Sequence, residues 1–190
     1  MWENCEAKSQ SRGRLSSSFV KERVVFDKGE YVVCGSKGVC TVEDVTTLVM
    51  PGVAENREYY VLKPVYNRNA TVYLPLDAGR ETMRGVLSAK EAKSLIRRME
   101  EILPITTANE KALEQEYRDC IRANLCEGWV KILKTTHQRK AMRQEMGRKV
   151  TAVDAKYARI AEEGLYGELA IALGIPKDRV REYIEKETKK

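Results

Sequence analysis

Tyr59-Tyr60-Val61-Leu62-Lys63-Pro64-Val65-Tyr66, then Asn67-Arg68-Asn69, then Thr71-Val72-Tyr73-Leu74-Pro75: this stretch decides the fold class. Its aromatic and β-branched residues suit a pleated, half-buried surface, and the asparagine pair supplies a turn between two strands. Toward the N-terminus, Tyr31-Val32-Val33-Cys34 is another such run, closed by Gly35-Ser36-Lys37-Gly38, a turn with glycine at both ends. Val39 to Val49 then alternates for several residues, with Val39, Thr41, Glu43 and Val45 on one side and Cys40, Val42 and Asp44 on the other, until Pro51-Gly52 breaks it. Four or five short antiparallel strands within about 60 residues predict a small, strongly bent sheet or SH3/Tudor-like barrel. A sheet of that kind keeps an exposed edge, which a partner strand can extend.

Toward the C-terminus the period changes at Ser88. Ser88-Ala89-Lys90-Glu91 fits a capping box, and Ala92, Leu95, Ile96 and Met99 follow at helical spacing up to Pro104. Further helices are predicted over about 109–125, about 128–146, from Thr151 to the residue before Gly174, and from Pro176 to about Glu187. The fold class is therefore α+β, an N-terminal SH3/Tudor-like small antiparallel β-barrel followed by a C-terminal all-α helical domain. Residues 1–23, rich in Ser, Lys, Arg and Gln without apolar periodicity, read as a flexible leader. Residues 24–87 make the β module and 88–190 the helical module.

The whole chain has 190 residues, 43% apolar, with a net charge of +6, enough to build a real core and too charged for a membrane-spanning helix. The first residues lack the apolar run of a secretory signal, which places the protein in the cytoplasm. Cys5, Cys34, Cys40, Cys120 and Cys126 are an odd set without a C-x-x-C pair, which speaks against a disulfide framework or zinc ribbon and for small apolar fillers. His137, the single histidine, sits among cations with no acidic orienter nearby in sequence. Phosphate-loop, dinucleotide, zinc-protease and nucleophile-elbow motifs are absent, so no catalytic residue, metal ligand or cofactor is assigned and a binding protein is expected.

Charge is unevenly placed. Residues 26–87 carry seven cations and eight anions, whereas residues 128–160 carry nine cations against only Glu145 and Asp154. That excess, which includes Lys131 and Lys134, suits phosphates; a solvated helical face gives the same pattern.

The order Phe26-Asp27-Lys28-Gly29-Glu30-Tyr31-Val32-Val33, Gly38-Val39-Cys40-Thr41-Val42, Glu58-Tyr59-Tyr60-Val61-Leu62-Lys63 and Thr71-Val72-Tyr73-Leu74-Pro75 resembles the CarD/CdnL family. The same module opens the polymerase-binding domain of the bacterial transcription-repair coupling factor. Leu165-Tyr166-Gly167-Glu168-Leu169-Ala170 is similar to the second domain of CarD. The resemblance implies a non-enzymatic transcription regulator. Its β module binds the lobe of the RNA polymerase β subunit by sheet-edge pairing, and its helical domain steadies the open complex at the upstream edge of the promoter bubble. It implies polymerase contacts at Leu48, Val49, Met50 and Tyr73. Relatives carry arginine at the Leu48 and Tyr73 positions, so backbone pairing is what survives in this chain. It places Leu113 where relatives insert a tryptophan into the minor groove, and keeps positive charge at Arg118 and Lys156. Leu113 also lies on the core stripe of its helix, so wedge and core packing both stand. Trp129 reads as a core anchor.

Two other classes compete. One is an RNA- or ribosome-binding module that pairs a small barrel with a basic helical appendage. The other is a small enzyme with Cys34 or Cys120 as nucleophile.

Overall fold

A computed structural model describes residues 26–47, 57–67, 69–107 and 109–188. Strands β1 (Tyr31–Cys34), β2 (Val39–Thr47), β3 (Glu58–Pro64), β4 (Val72–Pro75) and β5 (Met83–Gly85) form one antiparallel sheet in the order β4-β3-β2-β1-β5. The alternation read in β2 holds up to Val42, after which the register with β3 shifts between Val42 and Asp44. Such a bulge bends the strand and strengthens its twist. Across three strands the register aligns Val42, Leu62 and Val72, and these pack with Val32, Cys34, Cys40, Tyr60 and Met83 into the core of the sheet.

The sheet does not close among the described residues, so the barrel expectation is corrected to an open sheet. β4 and β5 lie at opposite edges with four and three residues. The β5 edge is occupied by the helical module: the Arg84 Nε donates to the Asn124 carbonyl, and the Asn124 Nδ2 donates to the Thr82 carbonyl at 3.3 Å.

After the single turn α1 (Gly79–Thr82), five longer helices follow: α2 (Ala89–Arg98), α3 (Glu110–Ala123), α4 (Cys126–Glu145), α5 (Ala152–Leu173) and α6 (Val180–Thr188). The caps expected from sequence are present. Ser88 Oγ accepts from Glu91 N while Ser88 N donates to Glu91 Oε2. Thr151 Oγ1 accepts from Asp154 N, and Gly174, at φ 65°, ends α5. Leu95, Ile96, Leu113, Tyr117, Trp129, Ile132, Leu165 and Leu169 build a second core. A Cβ on Gly164 would stand 3.2 Å from the Trp129 indole, so glycine lets α5 approach α4 here.

The two modules share one polar clamp. Glu168 on α5 is fully buried and accepts from Arg84 NH2 at 2.7 Å, from Leu87 N at 3.1 Å and from the Cys126 thiol at 2.9 Å. Asn124, in the left-handed conformation at φ 54°, donates to the Val33 carbonyl at 3.0 Å. The Tyr66 hydroxyl donates to the Gly167 carbonyl at 3.2 Å. All these contacts lie at the end of the sheet that carries the β1–β2 turn.

Candidate functional site

β2 has nine residues and outruns its neighbour β1. On the β1 side its pairing covers Val39 to Thr41, and Val42 exchanges backbone hydrogen bonds with Gly29 and Glu30. From Asp44 to Thr47 the strand pairs with β3 on one side and, among the described residues, with no backbone on the other. Backbone N–H and C=O groups along such a stretch are open to an incoming strand. At 3.3 Å per residue, this open end lies roughly 25 Å along β2 from the end docked on the helices. Among the described residues, the far side of β4 is a second edge without a partner strand.

Of the expected polymerase contacts, Leu48, Val49 and Met50 lie outside the described residues. Tyr73 stands on β4 in one row with Val61 and Asp44, on the face opposite the sheet core, and is 51% exposed. Tyr31 and Val45 are also exposed. The cations described on this sheet are paired: Lys63 with Glu43 at 3.3 Å, and Arg57 with Asp77 at 2.9 Å.

The expected DNA contacts are not brought to one place. Leu113 is 2% exposed in the helical core, which corrects the wedge reading: the side chain packs inside and cannot enter a groove as it stands. Arg118 and Lys156 do converge, on Tyr157. The Arg118 guanidinium donates to the Tyr157 hydroxyl at 3.4 Å and to Glu114 at 2.6 Å, while Lys156 stands 5.1 Å from the ring centroid. The hydrogen bond from Arg118, and then its charge, hold the Glu114 carboxyl below the usual carboxylate range. Lys131 is exposed on α4, but Lys134 points its ammonium at the Glu100 and Ile102 carbonyls, at 2.9 and 2.8 Å. It closes the end of the α2 segment and is not a free phosphate ligand. Trp129 is fully buried, a core anchor as expected.

A second buried carboxylate was not foreseen. Asp154 accepts from Tyr117 Oη and Arg139 Nε, each at 3.1 Å, and Arg139 also reaches Glu110 at 2.6 Å. This group ties the first turns of α3 and α5 to the middle of α4. Burial, then the Asp154 charge, raises the Tyr117 pKa, so its phenol stays a donor. The thiols also stay protonated. Burial pushes Cys40 up to about 12 and raises Cys34 and Cys120; burial and then the Glu168 charge raise Cys126. A protonated thiol is a poor nucleophile, which weighs against Cys34 or Cys120 in that role. Among the described residues no cluster of three His, Cys, Asp or Glu is placed to hold a metal ion, and no helix is long and apolar enough to cross a membrane.

A family model described as CarD-like/TRCF RID domain matches residues 26–87, which are the sheet and its connections through Leu87. Residues 26–87 are a domain of that family. RID domains of this family interact with RNA polymerase, and the match supports a transcription-related, polymerase-interacting role for residues 26–87. The match spans about a third of the chain and ends where the N-cap of α2 begins; the helical module lies outside it. No curated protein matches the chain.

Proposed function

We propose that this chain is a non-catalytic regulator of transcription that binds the lobe of the RNA polymerase β subunit by adding the open half of β2 to a partner strand. Its helical module then rests against duplex at the upstream edge of the melted promoter and steadies the open complex. The observation that carries this reading is the RID domain's free edge over Asp44–Thr47, at the end of the sheet away from the helices. Strand addition draws its affinity from main-chain hydrogen bonds, which need no particular side chain. The arginines that relatives use at the Leu48 and Tyr73 positions are therefore dispensable for docking itself.

The clamp at Glu168 supplies the mechanical link. With the sheet held on polymerase, Arg84, Glu168 and Asn124 keep the helices in a fixed relation to it. A ligand shifts a melting equilibrium only by its differential affinity for the melted state. Phosphate contacts from a pre-oriented helical face supply coupling of roughly 1–3 kcal/mol, the usual scale for linked sites.

The test is retention of the isolated β lobe by the full chain, together with the lifetime of promoter complexes. The wild type is expected to retain the lobe and lengthen the lifetime. Retention of ribosomal RNA with no β lobe would replace this reading by the RNA-binding one.

A further inference from the structure

α4 changes character at Arg139. Up to Thr136 its inner face is buried in the helical core, and Arg139 is fastened to Asp154 and Glu110. Beyond that anchor, residues 140–149 are exposed, apart from half-buried Arg143, so the end of α4 and its turn stand clear of the core. The turn itself is well made: Gly147, at φ 67°, donates to the Gln144 carbonyl at 2.9 Å, and Arg148 N donates to the Arg143 carbonyl at 2.7 Å. That double bond pattern is a Schellman closure, which leaves the projecting end with its backbone largely satisfied.

The side chains on this end combine two features. Met142 and Met146, four residues apart and so on one face, are 51% and 67% exposed. Lys140, Arg143, Arg148 and Lys149 share this end of the hairpin, Lys140 on the side of α4 away from Met142 and the others next to the methionines or in the turn, and Glu145 is the single acid from 140 to 149. No carboxylate among the described residues lies within ion-pair distance of these four cations. The Arg143 guanidinium donates to the Lys149 carbonyl at 2.9 Å, which holds the turn against the helix.

We propose that the α4–α5 hairpin tip is a duplex-DNA contact, in which Met142 and Met146 enter the minor groove as an apolar wedge while Lys140, Arg143, Arg148 and Lys149 bind the flanking phosphates. Methionine is among the side chains that proteins insert between base steps, and a wedge of this kind kinks the duplex. Four cations beside it neutralise the backbone on either side of the insertion. The inference deepens the reading that the helical module meets promoter DNA, and moves the contact from Leu113 to the tip.

The full chain is titrated into a short A·T-rich duplex labelled at both ends, which reports binding by anisotropy and bending by energy transfer, at several salt concentrations. The wild type is expected to bind and bend. The double variant Lys140→Glu/Lys149→Glu is expected to lose about tenfold or more in affinity and to lower the salt slope by about two. Met142→Gln/Met146→Gln, at exposed positions, is expected to keep the salt slope and the melting temperature while losing the bend. Wild-type affinity, slope and bend in both variants would overturn the proposal, as would tighter binding to phosphatidylserine vesicles or to single-stranded RNA than to duplex. If the wild type bends duplex through the tip but does not retain the β lobe, the regulator reading falls and the tip stands. If it retains the lobe and both variants bend like wild type, the tip falls alone.

Discussion

The free end of β2 and the free end of α4 both reach past the cores of their modules, and they are exposed in different currencies. Along Asp44–Thr47 no other strand covers the outward backbone among the described residues; Val45 N–H is held only by its neighbour Asp44 Oδ1 at 3.0 Å, a local bond that an incoming strand can replace. Along residues 140–149 the backbone is closed by the helix and the Gly147 turn, and what remains open is side chain, two methionines and four cations. A strand end recruits whatever carries another strand, so it tolerates sequence change. A helix end recruits by chemistry, so its residues carry the specificity. Between the two lies the clamp at Glu168, which makes the pair one device instead of two.

Removing the clamp has the largest expected effect. Arg84→Ala leaves Glu168 as a buried charge without its guanidinium, and such a loss costs about 3–5 kcal/mol, read by urea unfolding. If stability stays at the wild-type value, the two ends are not mechanically joined through this pair. Leu113→Ala is expected to cost about 3 kcal/mol as a core truncation; unchanged stability with a lost promoter effect would return Leu113 to the groove.

Backbone against side chain is the sharpest contrast. Thr47→Pro removes an outward-facing N–H from the open half of β2, one residue past Thr46, which pairs with Tyr59 of β3, and is expected to weaken retention of the polymerase β lobe by about tenfold or more. Thr47→Ala, which keeps the backbone, is expected to bind like wild type. Circular dichroism and melting of both variants separate an altered edge from an unfolded sheet. Equal loss in both variants would make the contact a side-chain one.

A smaller effect comes from the thiols. In the unfolded chain cysteines ionise near pH 8.5, whereas in the folded chain Cys40 does so only at about 12, and Cys34, Cys120 and Cys126 are also raised. A group whose folded pKa is raised stabilises the fold fully below its unfolded pKa, and that contribution is lost as pH rises through the folded pKa. Stability is therefore expected to decline from about pH 8.5 upward, and iodoacetamide at mildly alkaline pH to label these four slowly until denaturant is added. Rapid labelling of native Cys34 or Cys120 would revive the enzyme reading. Smallest of all, Tyr73→Ala is expected to leave folding stability within about 0.5 kcal/mol of wild type, as an exposed edge residue.

Strands β1 to β4 and all the long helices were legible because each has a clear period and a marked stop, such as Gly35, Ser88, Thr151 or Gly174. β5 was not: three residues carry no period, and its partner β1 lies about 50 residues away. Closure of the sheet was equally unreadable, since it depends on whether two short edges meet. For the site, Leu113 sat on an apolar stripe that named its core role as one of two choices. Lys134 gave no sign that its acceptors would be carbonyls more than 30 residues upstream. Glu168 did leave a trace, a carboxylate set between Leu165 and Leu169, and such a residue on a buried stripe asks for a partner. The identity of that partner, Arg84, is 84 residues away and needed the fold.

Hydrogen exchange by mass spectrometry on the full chain, with and without RNA polymerase, probes the docking edge without any substitution. The outward amides of Asp44–Thr47, Thr47 above all, are expected to exchange quickly in the free chain and to be slowed by polymerase, with Thr46, paired to Tyr59, and with β1 and β3 little changed. Unaltered exchange across Asp44–Thr47 in a chain that has bound polymerase would contradict it.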